Sequence, residues 1–181
     1  MKNNRSAILF VMCCLLAACG KSKFEPAATL FRDTTTITSQ SLSGFSFVEL
    51  AEIEAPFETN GFPDFQVNTA VDTANRVTGV TLSSINPNGG ARFAFSLAEE
   101  SEFASNPEEF FYSINTLDPL QLELRETATE IRPNQLWVVI TQDGRYAKLL
   151  VLENDVVQDP AGDYGSFKFL WIFQSDGSAR F

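Results

Sequence analysis

The chain predicts a mainly β, antiparallel domain, and three observations carry that expectation. Apolar residues recur at every second position in short runs, most clearly Phe167, Phe169, Trp171 and Phe173. An Asp143–Gly144 pair separates two apolar runs; this is the strongest short-range hairpin signal, because a two-residue type I′ turn needs positive φ at both positions. Clusters of Gly, Pro and Asn punctuate the runs, as they do where strands reverse.

The N-terminal stretch is set aside first. Lys2 and Arg5 precede the apolar run "AILFVMCCLL", which ends in Leu16–Ala17–Ala18–Cys19. This is the pattern of a secretory signal, which is excluded from fold reasoning. The box of one aliphatic residue, two small residues and Cys resembles that of bacterial lipoproteins. The resemblance implies cleavage before Cys19, acylation of Cys19 and, with Gly20 rather than Asp in the next position, sorting to the outer membrane, on its periplasmic or cell-surface face. The alternative is an ordinary secretory signal that happens to hold a Cys. Several acyl chains supply the signals that stable anchoring requires. The expected organisation is therefore a lipoprotein signal at 1–18, a lipidated Cys and tether at 19–43, and one β domain at 44–181. The other two cysteines, Cys13 and Cys14, leave with the signal. No disulfide remains to hold the exported domain, so its core must do so.

Within the tether, "TTTITSQSLS" at 34–43 is polar and low in complexity, consistent with a flexible or extended spacer. A short strand is the alternative there, since Thr and Ile favour extended backbone. "GFSFVELAEIE" then alternates Phe45, Phe47 and Glu49 against Ser46, Val48 and Leu50. "RVTGVTLSSI" is β-branched, and "GGARFAFSL" alternates again through Phe93 and Phe95. "SNPEEFF" predicts a short helix: Asn106 caps, Pro107 suits the first helical position, and Glu108 and Glu109 complement the N-terminus. "DPLQLELRET" predicts a strand with Leu120, Leu122 and Leu124 on one face.

The hairpin "LWVVITQDGRYAKLLVLE" is the sharpest local expectation. With Asp143 and Gly144 as a two-residue turn, Thr141 faces Tyr146, Val139 faces Lys148 and Trp137 faces Leu150. The other face, Leu136, Val138, Ile140, Ala147, Leu149 and Val151, is wholly apolar and must be core. The mixed face of Trp137, Tyr146, Lys148 and Leu150 is then the candidate ligand face. Lys148 and Lys168, inside apolar runs, are read as snorkelling stems with solvated heads, the alternative being heads directed into a pocket. The closing aromatic stripe is read as core, since each ring carries about 150–250 Å² of surface to bury.

Composition excludes several chemistries. The chain contains no His, which removes His-dependent triads and His-ligated zinc or haem. Without a free Cys, thiol chemistry and Cys–metal sites go too. Adjacent carboxylates, Glu99 with Glu100 and Glu108 with Glu109, read as solvated surface, because acid–base pairs usually come from separate elements. The loop "ENDVVQDPAGDYG" offers Asp155, Asp159 and Asp163 to calcium, but their spacing fits no defined calcium loop, and a long exposed hairpin connection is the preferred reading. The net charge is −10, and −12 once Lys2 and Arg5 depart; this argues against nucleic acid as a partner. The expected class is a non-enzymatic binder of an apolar ligand, or a structural or protein-interaction module of the cell envelope.

The C-terminal residues then show a family resemblance. Thr141, Asp143, Gly144, Tyr146, Ala147, Lys148 and Leu149 match a "T-x-D-G-x-Y-A-K-L" hairpin, followed by Gly165, Phe169, Gln174, Asp176, Gly177 and Ser178. This resembles the C-terminal half of the HmuY family of haem-binding lipoproteins, over residues 136–181, a quarter of the chain. "FPDFQV" and "NPNGG" are vaguely similar to further blocks of that family. The resemblance implies a sandwich-like or hand-like β fold on the outer membrane and a tetrapyrrole-like ligand. It does not carry the haem site across: the family holds iron by axial His or Met, while here both Met residues, Met1 and Met12, leave with the signal. Tyr112, Tyr146 and Tyr164 are the tyrosines left as iron ligands. No cofactor is expected.

Overall fold

In the computed structural model, residues 29–85, 95–99 and 106–181 are described, with the backbone alone for 95–99. The segment expected to be a signal, Cys19, "NPNGG", Phe93, Glu100 and the side chain of Glu99 lie outside the described residues. Among the described residues ten strands follow one another: β1 (Leu30–Thr38), β2 (Ser43–Ser46), β3 (Ala51–Glu54), β4 (Phe65–Val71), β5 (Val77–Ser84), β6 (Phe95–Glu99), β7 (Thr127–Ala128), β8 (Leu136–Ile140), β9 (Tyr146–Val157) and β10 (Tyr164–Gln174). They form two five-stranded antiparallel sheets that face each other, sheet 1 in the order β1–β10–β9–β8–β6 and sheet 2 in the order β3–β2–β4–β5–β7. Two short helices, α1 (Phe57–Asn60) and α2 (Pro107–Ser113), lie in the connections among the described residues. The mainly β, sandwich-like class expected from period-two patterning is the observed one.

The aromatic stripe fills the space between the sheets. Phe167, Phe169, Trp171 and Phe173 are buried with Phe45, Phe47 and Phe65 from sheet 2 and its first loop in one cluster. Phe45 meets Phe169 edge-on at 5.4 Å between ring centroids, and Phe47 stacks on Phe173 at 5.7 Å. Such pairs add about 0.5–1.5 kcal/mol each beyond the burial of their area.

Part of the stretch expected to be a tether is a strand. Thr34–Thr38 lies within β1, which pairs with β10 along its whole length, so the sheet starts by Leu30 rather than at Gly44. The run of threonines hid this strand, because their hydroxyls look solvated in sequence. In fact Thr35 points toward the core, where its Oγ1 accepts a hydrogen bond from the Trp171 indole at 2.9 Å, and Ile37 is buried.

Two further local readings change. "GFSFVELAEIE" is not one strand but the β2–β3 hairpin, pairing Phe45 with Glu52 and Ser46 with Ala51. "DPLQLELRET" forms no leucine-faced strand: Pro119–Gln121 is a 3-10 turn, and Leu120 is 95% exposed. Asp118 explains the departure, for its Oδ1 accepts from the Leu120 N–H and turns the chain. The predicted helix over "SNPEEFF" is present as α2, with the Asn106 side chain accepting from the Glu109 N–H.

At one end of the sandwich the two sheets touch through backbone. A Cβ on Gly165 would stand 2.2 Å from the Gly79 carbonyl oxygen, so β10 and β5 approach as only glycine permits. Asn154 sits beside a β-bulge at Lys168/Phe169 and pins this approach. Its Oδ1 accepts from Val80 N–H at 2.8 Å and its Nδ2 donates to Ile131 O at 2.9 Å.

Candidate functional site

The face expected to bind a ligand does not exist as one face. The 136–153 hairpin turns through three residues, Gln142–Gly144, between a Thr141–Arg145 pair, with Gly144 in the left-handed region at φ 82°. This is the three-residue hairpin in which a type I turn is followed by an αL glycine. The register therefore slips by one: Trp137 faces Leu149, Val138 faces Lys148 and Leu136 faces Leu150. A one-residue slip moves one strand's side chains to the opposite face. Trp137 consequently joins the inter-sheet core, its Nε1 donating to Gln135 Oε1 at 3.2 Å. Tyr146, Lys148 and Leu150 lie on the outer side of sheet 1.

That outer side is covered by the chain itself. Phe111 of α2, Leu117 and the C-terminal Phe181 pack over Leu136, Val138, Leu150, Leu170 and Ile172. Lys148 does not snorkel: it is 1% exposed, and its Nζ donates to Phe111 O and Ile114 O, each at 2.6 Å. The ammonium also stands 4.7 Å and 5.0 Å from the Phe111 and Phe181 ring centroids. Burial pushes its pKa down to about 8. Lys148 is thus a cap on the C-terminal carbonyls of α2, where a cation is favoured. Lys168 is half-buried and pairs with Glu153 at 2.9 Å, its head in solvent as expected.

An open cleft lies instead where loops from the two sheets meet. It has a volume of ≈ 460 Å³, within the range of about 300–1,000 Å³ typical of ligand sites. Val48, Ala51, Ile53 and Phe62 give it apolar walls, and Glu49, Asp64, Gln142 and Asp143 supply polar groups. The β2–β3 hairpin contributes the first wall, the segment after α1 the second, and the three-residue loop the third. Val48, Leu50 and Phe62 are exposed around it.

Asp64 is the group that ties these walls together. It is 3% exposed, and its Oδ2 accepts from Phe47 N–H at 2.7 Å while Oδ1 accepts from Gln142 N–H at 3.1 Å. Gln142 reinforces the junction by donating from Nε2 to Phe62 O and Pro63 O at 3.0 Å and 2.7 Å. Burial pushes the Asp64 carboxyl up to about 6, outweighing the two backbone N–H bonds that draw it down; the Asp143 charge adds to the rise and Arg145 opposes it. Arg145 itself pairs with Asp143, Nε to Oδ2 at 2.8 Å. Sequence reasoning passed over Asp64. Its only signal was a lone acid in "FPDFQV", between Pro63 and Phe65, both of which are buried.

The remaining candidates do not converge. Tyr146 and Tyr164 open β9 and β10 and so sit at opposite ends of that strand pair, while Tyr112 is exposed on α2. The long loop expected after Glu153 is in part strand, since β9 continues to Val157. Asp159 there accepts from Ala161 N–H at 2.7 Å, closing a tight turn. Among the described residues no three acidic or Cys side chains are grouped to hold a metal ion.

No protein-family model matches the chain, and no curated protein matches it. A solved structure similar to it is the apo HmuY analogue of Tannerella forsythia, at 10% sequence identity and TM-score 0.37, covering 81% of this chain and 97% of that one.

Proposed function

We propose that this is a lipid-anchored protein of a bacterial outer membrane, HmuY-like, that binds a small apolar ligand without catalysing a reaction on it. The observation that carries the reading is the ≈ 460 Å³ cleft with apolar walls of Val48, Ala51, Ile53 and Phe62. The resemblance of the 141–149 hairpin and of the last strand supports a binding role, and the Leu16–Cys19 box supports the anchor. A tetrapyrrole fits less well than a neutral apolar body, because the carboxylates of such a molecule would meet Glu49, Asp64 and Asp143. A second reading is an envelope-protein partner seated on the exposed Val48, Leu50 and Phe62; no small-molecule site is then needed.

The test is a titration of the leaderless chain with an uncharged apolar dye, haemin and iron-free porphyrin, following the amide signals of Phe47 and Gln142. Saturable shifts with the dye, weakened by Phe62→Ala, are expected. If all three titrations are flat, the small-ligand reading is lost and the partner reading stands. The anchor is tested separately: Cys19→Ser should abolish acylation and release the protein from the membrane fraction, and unchanged fractionation would count against it.

A further inference from the structure

We infer that the ligand of this cleft carries a cation: an organic ammonium on an apolar body, with its charged head toward Asp64. The inference rests on the reading of the cleft as a ligand site and adds to it the chemistry of the head group. Its first support is a buried acid with no cation on it among the described residues. Asp64 is 3% exposed and lines the cleft, and its oxygens meet the backbone N–H groups of Phe47 and Gln142. The nearby guanidinium of Arg145 is taken by Asp143 and lies over the Phe173 ring at 5.9 Å. A carboxylate taken out of water without a cation is costly, and a partner charge in the same low-dielectric setting recovers much of that cost.

The second support is the charge of the walls. Glu49, Asp64 and Asp143 line the cleft, and no Lys or Arg occurs between Arg32 and Arg76, the stretch that supplies two of its three walls. Among the described residues no basic side chain lines the cleft. Anionic ligands are therefore repelled from it, and a cation is drawn toward it before contact. The third is shape. The apolar walls leave room for a hydrocarbon body beside the carboxylate, so the site would select an amphiphilic amine over a bare inorganic ion.

A matched pair of probes tests this on the leaderless chain: naphthylethylamine and its neutral counterpart naphthylethanol, at neutral pH, read from the Phe47 and Gln142 amide signals. The amine should bind about tenfold tighter, the ratio that roughly one charge-assisted hydrogen bond supplies. Asp64→Asn should remove that preference, so that the two probes bind with the same affinity as each other. Because Asp64 also holds two loops, Glu49→Gln on the exposed rim is the companion variant. It should narrow the amine's advantage over the alcohol by about two- to threefold, in keeping with a partly screened charge. Equal binding of the two probes would overturn the cation assignment and leave the apolar site standing. Binding of neither would overturn both.

Discussion

The substitution Lys148→Met asks whether the buried ammonium holds α2 on the sheet. Methionine keeps the apolar stem but leaves Phe111 O and Ile114 O without their donor. Two hydrogen bonds from a charged group are worth about 1.5–3 kcal/mol each. Against that stands the cost of burying the charge. An amine held at about 8 rather than 10.5 corresponds to about 3 kcal/mol, at ~1.4 kcal/mol per pH unit. The net loss expected near neutral pH is about 1–2 kcal/mol, from the balance of these terms. The sign of the pH dependence follows from linkage. Above the folded pKa the unfolded chain binds the proton more readily than the folded one, so native stability rises with pH from about 8 toward 10.5. The variant has no such group, so the difference between the two proteins should widen as pH rises through that window. Urea unfolding at neutral pH and near the top of the window measures it, with amide exchange at Phe110–Ser113 as the local readout. If the variant is as stable as the parent at both pH values, with unchanged exchange on α2, Lys148 does not cap that helix.

Three further outcomes are expected. Asp64, raised from 3.8 to about 6, contributes stability that is fully present below 3.8 and lost as pH rises through about 6; the fall is about 3 kcal/mol. Asp64→Asn should flatten that part of the stability–pH curve, and an unaltered slope would show that the carboxyl titrates normally. Phe169→Ala removes a wholly buried ring between Phe45, Phe65 and Phe167 and should cost about 3–5 kcal/mol in denaturant unfolding; a loss well below that range would mean the neighbouring rings collapse into the gap. Gly165→Ala forces a methyl against the Gly79 carbonyl and should destabilise by about 1–3 kcal/mol or more in the same assay; a neutral result would mean that β5 and β10 can separate freely.

What was legible in the sequence was whatever a local rule decides alone. The Phe167–Phe173 stripe gave its face by parity, and Asn106–Pro107 gave the start of a helix. The hairpin shows where such rules stop: Asp–Gly marks a reversal, but both a two-residue and a three-residue loop can contain it, and they differ in every facing pair. Thr141 decides for the longer loop. Its backbone N–H reaches Arg145 O, and its hydroxyl donates to Asp143 Oδ1 at 2.6 Å. Nothing in the strands' apolar pattern argued against either choice, since both faces of the hairpin are buried. β1 was missed for a related reason. A strand whose inward Thr35 is satisfied by an indole from far along the chain looks, in isolation, like a spacer.

The cleft could not have been read at all, because it is assembled from three segments that meet only after both sheets form. Its existence and the loss of the expected ligand face have one cause. The extra loop residue that sets Leu136 and Val138 beside Lys148 and Leu150, beneath α2, also brings the Gln142 N–H to Asp64 and its amide to Phe62 O and Pro63 O. The single register choice therefore closes one candidate surface with the protein's own helix and builds the other from its loops. The chemistry of the site passes with it, from an aromatic platform bearing a lysine to an apolar cleft bearing a buried acid.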